Sequence, residues 1–85
     1  MLVAANAMFI SAKAESFTDK SGKAIQFQRV VFMADGDDDT MSLTAPADLD
    51  MAGFSKLDDV MVTLNVYKDF KGYLKAKVVN VEPRK

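Results

Sequence analysis

The chain has no cysteine, no histidine and no tryptophan, and only two prolines and four glycines among 85 residues. Without thiols it forms no disulfide and offers no thiolate nucleophile. Without histidine it lacks the commonest general base, and the usual ligand sets for zinc disappear with both residue types. No constellation pairs a serine with a base in their place, so catalysis is not expected, nor is a cofactor or a bound metal. Long apolar runs are missing too, and nothing approaches the ~20 residues of a membrane span. The opening MLVAANAMFI contains Ala5, Asn6 and Ala7, which mimic a signal-peptidase site, but no basic segment precedes them and the apolar run breaks early. It reads as a first strand, and the chain as a soluble cytoplasmic protein with no membrane partner.

A chain of this length makes one domain, residues 1–85, and buries only about 60 to 65 per cent of the surface its unfolded form exposes. A thin core and exposed strand edges are both liabilities, which closure into a barrel or pairing with a second copy would relieve. A homodimer is therefore expected.

The net charge of −1 conceals a segregated pattern. Residues 11–30 carry +2 and residues 66–85 carry +4, whereas residues 35–59 hold eight aspartates against Lys56, a net of −7. Local potential, not the total, attracts a polyanion, so the acidic balance does not exclude a basic groove.

The apolar pattern has the period of two that belongs to strands. Across residues 7–17, Ser11, Lys13 and Glu15 face one way and Ala12 and Ala14 the other. Turn-forming residues 18–22 follow, carrying Lys20 with Lys23 just beyond. Residues 23–34 do not alternate cleanly, because Ile25 and Phe27 share one parity and Val30 and Phe32 the other. A bulge near Arg29 places all four in the core; a regular strand places Phe27 on a binding face beside Arg29. Residues 35–39 form an acidic turn without the ligand spacing of a calcium loop, followed by a short strand over residues 40–44. Residues 46–52 suit one or two helical turns, with Pro46 at the start and Gly53 as terminator. Phe54 and Leu57 are expected to seal the end of the core. Val60, Val62, Leu64 and Val66 then point inward from the clearest strand in the chain, and Leu74, Ala76 and Val78 alternate with Tyr73, Lys75 and Lys77 in the last. The six methionines have no regular spacing and serve as filler. The expected fold is all-β: a small five-stranded OB-like barrel with hairpin extensions and at most one short helical turn, an SH3-like barrel being the other small closed form.

Residues 66–85 concentrate function. A hairpin turning at Gly72 is expected to expose Phe70 at its tip, with Tyr67 and Tyr73 at its shoulders and Lys71, Lys75 and Lys77 on the same side. Aromatic faces interleaved with mobile cations are what sequence-tolerant binding of single-stranded nucleic acid requires, since bases stack and phosphates are neutralised. The plainer reading has Tyr67 and Phe70 packing the hairpin against the barrel or a dimer mate while the lysines solvate its outer face. Lys20, Lys23, Phe27 and Arg29 of the first hairpin complete the candidate surface, with Lys20 and Lys23 as the opposite bank of one groove.

From Gly72 onward the chain resembles the filamentous-phage single-stranded-DNA-binding proteins of the gene V type. Gly72, Leu74, Val79, Val81, Pro83 and Lys85 reproduce the spacing of that family's last strand, and Lys20, Gly22 and Lys23 its first basic hairpin. The resemblance implies an OB-like barrel, a twofold dimer and cooperative coating of single strands during phage replication in the host cytoplasm. It also implies translational repression through binding of messenger RNA. Departures are specific. Ile25 stands where the family has a DNA-contacting tyrosine, and Phe27 where it has a leucine-like contact. Lys71 stands where an aromatic is expected, and Val78 and Asn80 where arginines are, with charge appearing instead at Lys75 and Lys77. The late hairpin is also shorter than the family's.

A different class of function remains on the sequence: an interaction module whose aspartate-rich middle docks a basic protein or imitates nucleic acid.

Overall fold

The computed structural model describes residues 1–34 and 38–84. Asp35, Gly36 and Asp37 of the expected acidic turn, and Lys85 of the C-terminal pattern, lie outside the described residues. Five strands, β1 (Leu2–Thr18), β2 (Ala24–Ala34), β3 (Thr40–Pro46), β4 (Asp59–Lys68) and β5 (Leu74–Pro83), form one antiparallel sheet in the order β3-β2-β1-β4-β5. β1 is the longest, at 17 residues, because it serves two neighbours in turn. Residues 2–8 pair with β4, from Leu2 opposite Asn65 to Met8 opposite Asp59. Residues from Ala7 to Thr18 pair with β2, from Ala34 to Ala24.

The expected bulge near Arg29 is absent, and β2 runs in regular register against both neighbours around that residue. The extra residue sits instead in β1, where the register shifts between Phe9 and Ser11 and leaves Ile10 over. A second shift, opposite Thr63 and Leu64, makes Val79 the extra residue of β5. Each bulge reverses side-chain parity in its own strand, so Ala7 and Phe9 point inward before Ile10, and Ala12 after it. β2, having no bulge, keeps one parity inward: Val30 and Phe32 are fully buried, and Ile25, Phe27 and Arg29 fall on the opposite face. The open question about Phe27 is thus resolved by where the bulge lies.

The buried face joins Ala7, Phe9, Val30, Phe32, Ala45, Val60, Val62, Val78 and Val81, with the loop residue Met51. Phe9 meets Phe32 edge to face at 6.4 Å between centroids and tilts against Phe54 at 5.8 Å. Every strand contributes, and β-branched valines dominate because they pack well on a pleated surface. The inward positions expected in β4 hold at Val60 and Val62, with Leu64 packed against the cluster.

No helix occurs among the described residues; Pro46 ends β3, and residues 47–52 run through turns and bends. Leu49 N donates to the Pro46 carbonyl and Phe54 N to the Met51 carbonyl, and Asp50 accepts from Ala52 N. The Gln28 side chain explains this departure. Its amide donates to the Leu49 carbonyl at 2.6 Å and to the Pro46 carbonyl at 3.0 Å, tying the loop across β2 through acceptors that a helix would need. Phe54 packs on the core as expected, but Leu57 does not seal it. That residue is exposed in a left-handed conformation, φ 74°, where its N–H donates to the Phe9 carbonyl.

β3 and β5 are the edges of the sheet, and both run in the direction of β1. They approach each other without forming a ladder, so the sheet is not closed into a barrel. Thr44, Ala45 and Pro46 line a cleft there with Lys77, Val78 and Val79.

Candidate nucleic-acid interface

Two hairpins leave this framework with the same tip. In residues 19–23, Asp19 N donates to the Lys23 carbonyl at 2.9 Å and Gly22 N to the Asp19 carbonyl at 3.1 Å. In residues 69–73, Asp69 N donates to the Tyr73 carbonyl at 2.9 Å and Gly72 N to the Asp69 carbonyl at 3.0 Å. The leading carboxylate closes both turns: Asp19 Oδ1 accepts from the N–H of Ser21 and Lys23, and Asp69 Oδ1 from that of Lys71 and Tyr73. Gly22 and Gly72 have φ of +85° and +88°, the left-handed region that other residues enter at a cost. The repeated Asp-x-x-Gly-x spacing is the sequence signal of this shared tip, more specific than glycine alone.

The Asp19 carboxyl is held below its ordinary value of 3.8, first by the Ser21 hydroxyl, which donates at 2.6 Å, and then by backbone N–H groups of Lys23 and Ser21. These bonds favour the charged form. The tip's contribution to stability is therefore complete above the ordinary carboxylate range and is lost as pH falls through the lowered value. In an acid titration followed by NMR, the Ser21 and Lys23 amide signals are expected to move together with a midpoint below 3.8, and Asp19→Asn to abolish that step. A midpoint at or above the ordinary value would show the turn to be held by something else.

On the second hairpin, Tyr67 stands opposite Lys75 and Asn65 opposite Lys77, so all four share the outer face. Lys77 Nζ lies 5.5 Å from the centroid of the Tyr67 ring. At the tip, Phe70 is 94% exposed with Lys71 Nζ 5.8 Å from its ring, and Tyr73 is exposed beside it. Phe70 does not pack the hairpin against the rest of its own chain.

On the first hairpin, Arg29 Cζ lies 5.8 Å from the Phe27 centroid, and its Nε is 3.3 Å from Glu15 Oε2. Phe27 also meets Phe17 edge to face at 5.9 Å. Phe17, half exposed, and Lys13, opposite Arg29, were missing from the candidate set. Both belong to the outer parity of β1 already visible in Ser11, Lys13 and Glu15, which needed only to be carried on to residue 17.

The candidate residues fall into two groups with one bridge. Phe27 and Lys77 line the cleft at the β3–β5 edge together, so the outer faces of the two hairpins meet there. Lys20 and Lys23 do not form a bank opposite Lys71 and Lys75. Their tip leaves from the C-terminal end of β1, whereas the other lies beyond its N-terminal end, where Met1 is bonded to Val66. The two tips mark opposite ends of β1 in a molecule whose longest dimension is 43 Å. Among the described residues, each cation–π contact joins two members of the candidate set: Phe27 with Arg29, Tyr67 with Lys77, Phe70 with Lys71.

Comparison of the chain with protein-family models, with curated proteins and with solved structures finds no match.

Proposed function

We propose that the protein binds single-stranded nucleic acid, DNA in the first place, with little regard for sequence. The observation that carries this is the set of three aromatic rings, each with a cation beside it, on solvent-facing surfaces. A ring gives a base a face to stack on, the neighbouring cation meets the adjoining phosphate, and neither reads a base edge. The cleft where Phe27 and Lys77 meet supports a path that crosses from one hairpin to the other. The sheet order, with parallel β3 and β5 edges approaching each other, supports an OB-like barrel left open along its last seam. The resemblance of Gly72, Leu74, Val79, Val81 and Pro83, and of Lys20, Gly22 and Lys23, to the gene V type adds the rest of the proposal: two copies acting together, coating single strands in phage replication and binding messenger RNA as a repressor.

Titration of oligo(dT) into the protein, followed by quenching of Tyr67 and Tyr73 fluorescence, tests it. Neutralising three to five phosphates per protomer predicts that log affinity falls with log salt at a slope of about −2 to −3.5. Absence of binding at low salt, or binding indifferent to salt, would sink the proposal.

A further inference from the structure

The C-terminal half of β1 has a strand beside it on one side only. Asp19 N donates to the Lys23 carbonyl, and Phe17 opposite Ile25, Glu15 opposite Phe27 and Lys13 opposite Arg29 continue that series, so these residues turn their N–H and C=O toward β2. Ala12, Ala14 and Ser16 turn theirs the other way. On that side β4 accompanies β1 only as far as Met8, and the loop before β4 is bonded to Phe9 through Leu57 and Asp58. Beyond Phe9, the three residues are bonded to no strand or loop backbone among the described residues. The neighbours of the undescribed residues stand away from this gap: Ala34 is opposite Ala7, Thr40 is opposite Met33, and Arg84 is bonded at Asp59.

The side chains of the same three residues share the inner face with Val30, which stands opposite Ala12. They floor two adjoining open hollows of about 430 and 370 Å³, with Gln28 and Ala47 common to both. The far wall is the loop after β3. Residues 47–58 of it carry Asp48, Asp50 and Asp58 against Lys56, a net of −2. Glu15 and Asp50 are the charged residues that line the hollows, and both are acidic. A lysine commonly guards a free edge; the one here, Lys13, belongs to the outer face, away from the hollows.

We propose that this edge takes an extended basic peptide as an added strand, with lysine or arginine at alternate positions. In an antiparallel pairing, the residues opposite Ala12, Ala14 and Ser16 form hydrogen-bonded pairs with them and send their side chains to the inner face. Backbone pairing and side-chain placement thus fall on the same three residues. Their small side chains leave the hollows open, and long cationic ones fill them, stems along the alanines and heads toward Asp50 and Glu15. The sign of that lining decides the occupant. It opposes a phosphate chain, and a second copy in the same register would bring only alanine and serine to the hollows and set its own acids against these. Phe17, Phe27 and Arg29 lie on the other face of the same two strands, so the peptide leaves the proposed nucleic-acid surface uncovered. The inference gives a role to the acidic middle of the chain and rests on no part of the proposed function.

Titration with a blocked peptide of alternating lysine and threonine, followed by NMR without nucleic acid, tests it. The Ala12, Ala14 and Ser16 amides are expected to shift and to gain protection from hydrogen exchange, while those of Lys13 and Glu15 are protected throughout. Methylating the lysine backbone nitrogens of the peptide removes the donors that face the edge and is expected to abolish binding; methylating the threonine nitrogens is expected to leave it. Asp50→Asn keeps the acceptor for Ala52 N and is expected to weaken binding about two- to fivefold. Ala14→Pro removes an edge donor that no strand uses and is expected to weaken it about fivefold or more at an unchanged melting temperature. No binding at about 1 mM peptide overturns the proposal, as does equal binding of a peptide with glutamate in place of lysine, or loss on methylating threonine instead of lysine. Should Ala14→Pro unfold the chain, the methylated peptides on the unmodified protein decide. Oligo(dT) titration of the same samples reads the nucleic-acid proposal separately.

Discussion

Replacing Phe32 with alanine is expected to destabilise the fold severely. The ring is 1% exposed, lies edge-on to Phe9 and belongs to the strand with no bulge to absorb a rearrangement. Truncating a buried phenylalanine costs about 3 to 5 kcal/mol, through lost transfer energy and the cavity left behind. An 85-residue domain has about 4 to 13 kcal/mol in total, so the loss is a large share of all there is. At about 4 to 8 °C per kcal/mol, the melting temperature should fall by about 12 to 40 °C. Thermal and urea unfolding followed by circular dichroism measure it; a loss below about 1 kcal/mol would mean that the core does not centre on this ring. Phe27→Ala makes the useful contrast. Phe27 is only partly buried and faces away from Val30 and Phe32, so the same truncation should cost much less stability there.

Replacing Phe70 with alanine should do the reverse: no measurable change in unfolding and a large change in binding. The ring is 94% exposed and its recorded ring contact is with Lys71, so the folded chain loses little packing. Loss of one stacked base is worth about 1 to 3 kcal/mol, or about 5- to 150-fold in affinity for oligo(dT). The salt slope should stay where it was, because no phosphate contact is removed. Lys77→Ala tests the other half of the same site by lowering that slope by about 0.7. Unchanged affinity on removal of Phe70, with the unmodified protein binding tightly, would assign the exposed tip a different role.

The strands were legible because alternation at a period of two is a direct imprint of burial. Val60, Val62 and Leu64 announced their face, as did Ser11, Lys13 and Glu15. The position of the bulge was not legible. An irregular pattern in β2 has the same appearance whether the strand holds an extra residue or is regular with apolar side chains on both faces, and β2 proved regular, the extra residue being Ile10 of β1. The absent helix has a similar cause: residues 46–52 have helical end signals, but the side chain that holds them is Gln28, 18 residues earlier in the case of Pro46. Such a long-range bond overrides local propensity. In the candidate site the residue types were readable and the groupings were not. Lys20 and Lys23 read as neighbours of the late hairpin because their charge suited it, and only the pairing of β1 with β4 at one end and β2 at the other separates them. Phe27, which the pattern leaves open between core and surface, lies on the outer face because β2 carries no bulge.

The identical tips have a consequence for how such a surface changes over generations. Each is held by its first and fourth residues, Asp19 with Gly22 and Asp69 with Gly72, and the second position, Lys20 in one and Phe70 in the other, is excused from holding anything. Selection can therefore trade a cation for a ring at either extremity without renegotiating the fold. The outermost side chain of each hairpin thus stands apart from the frame that carries it.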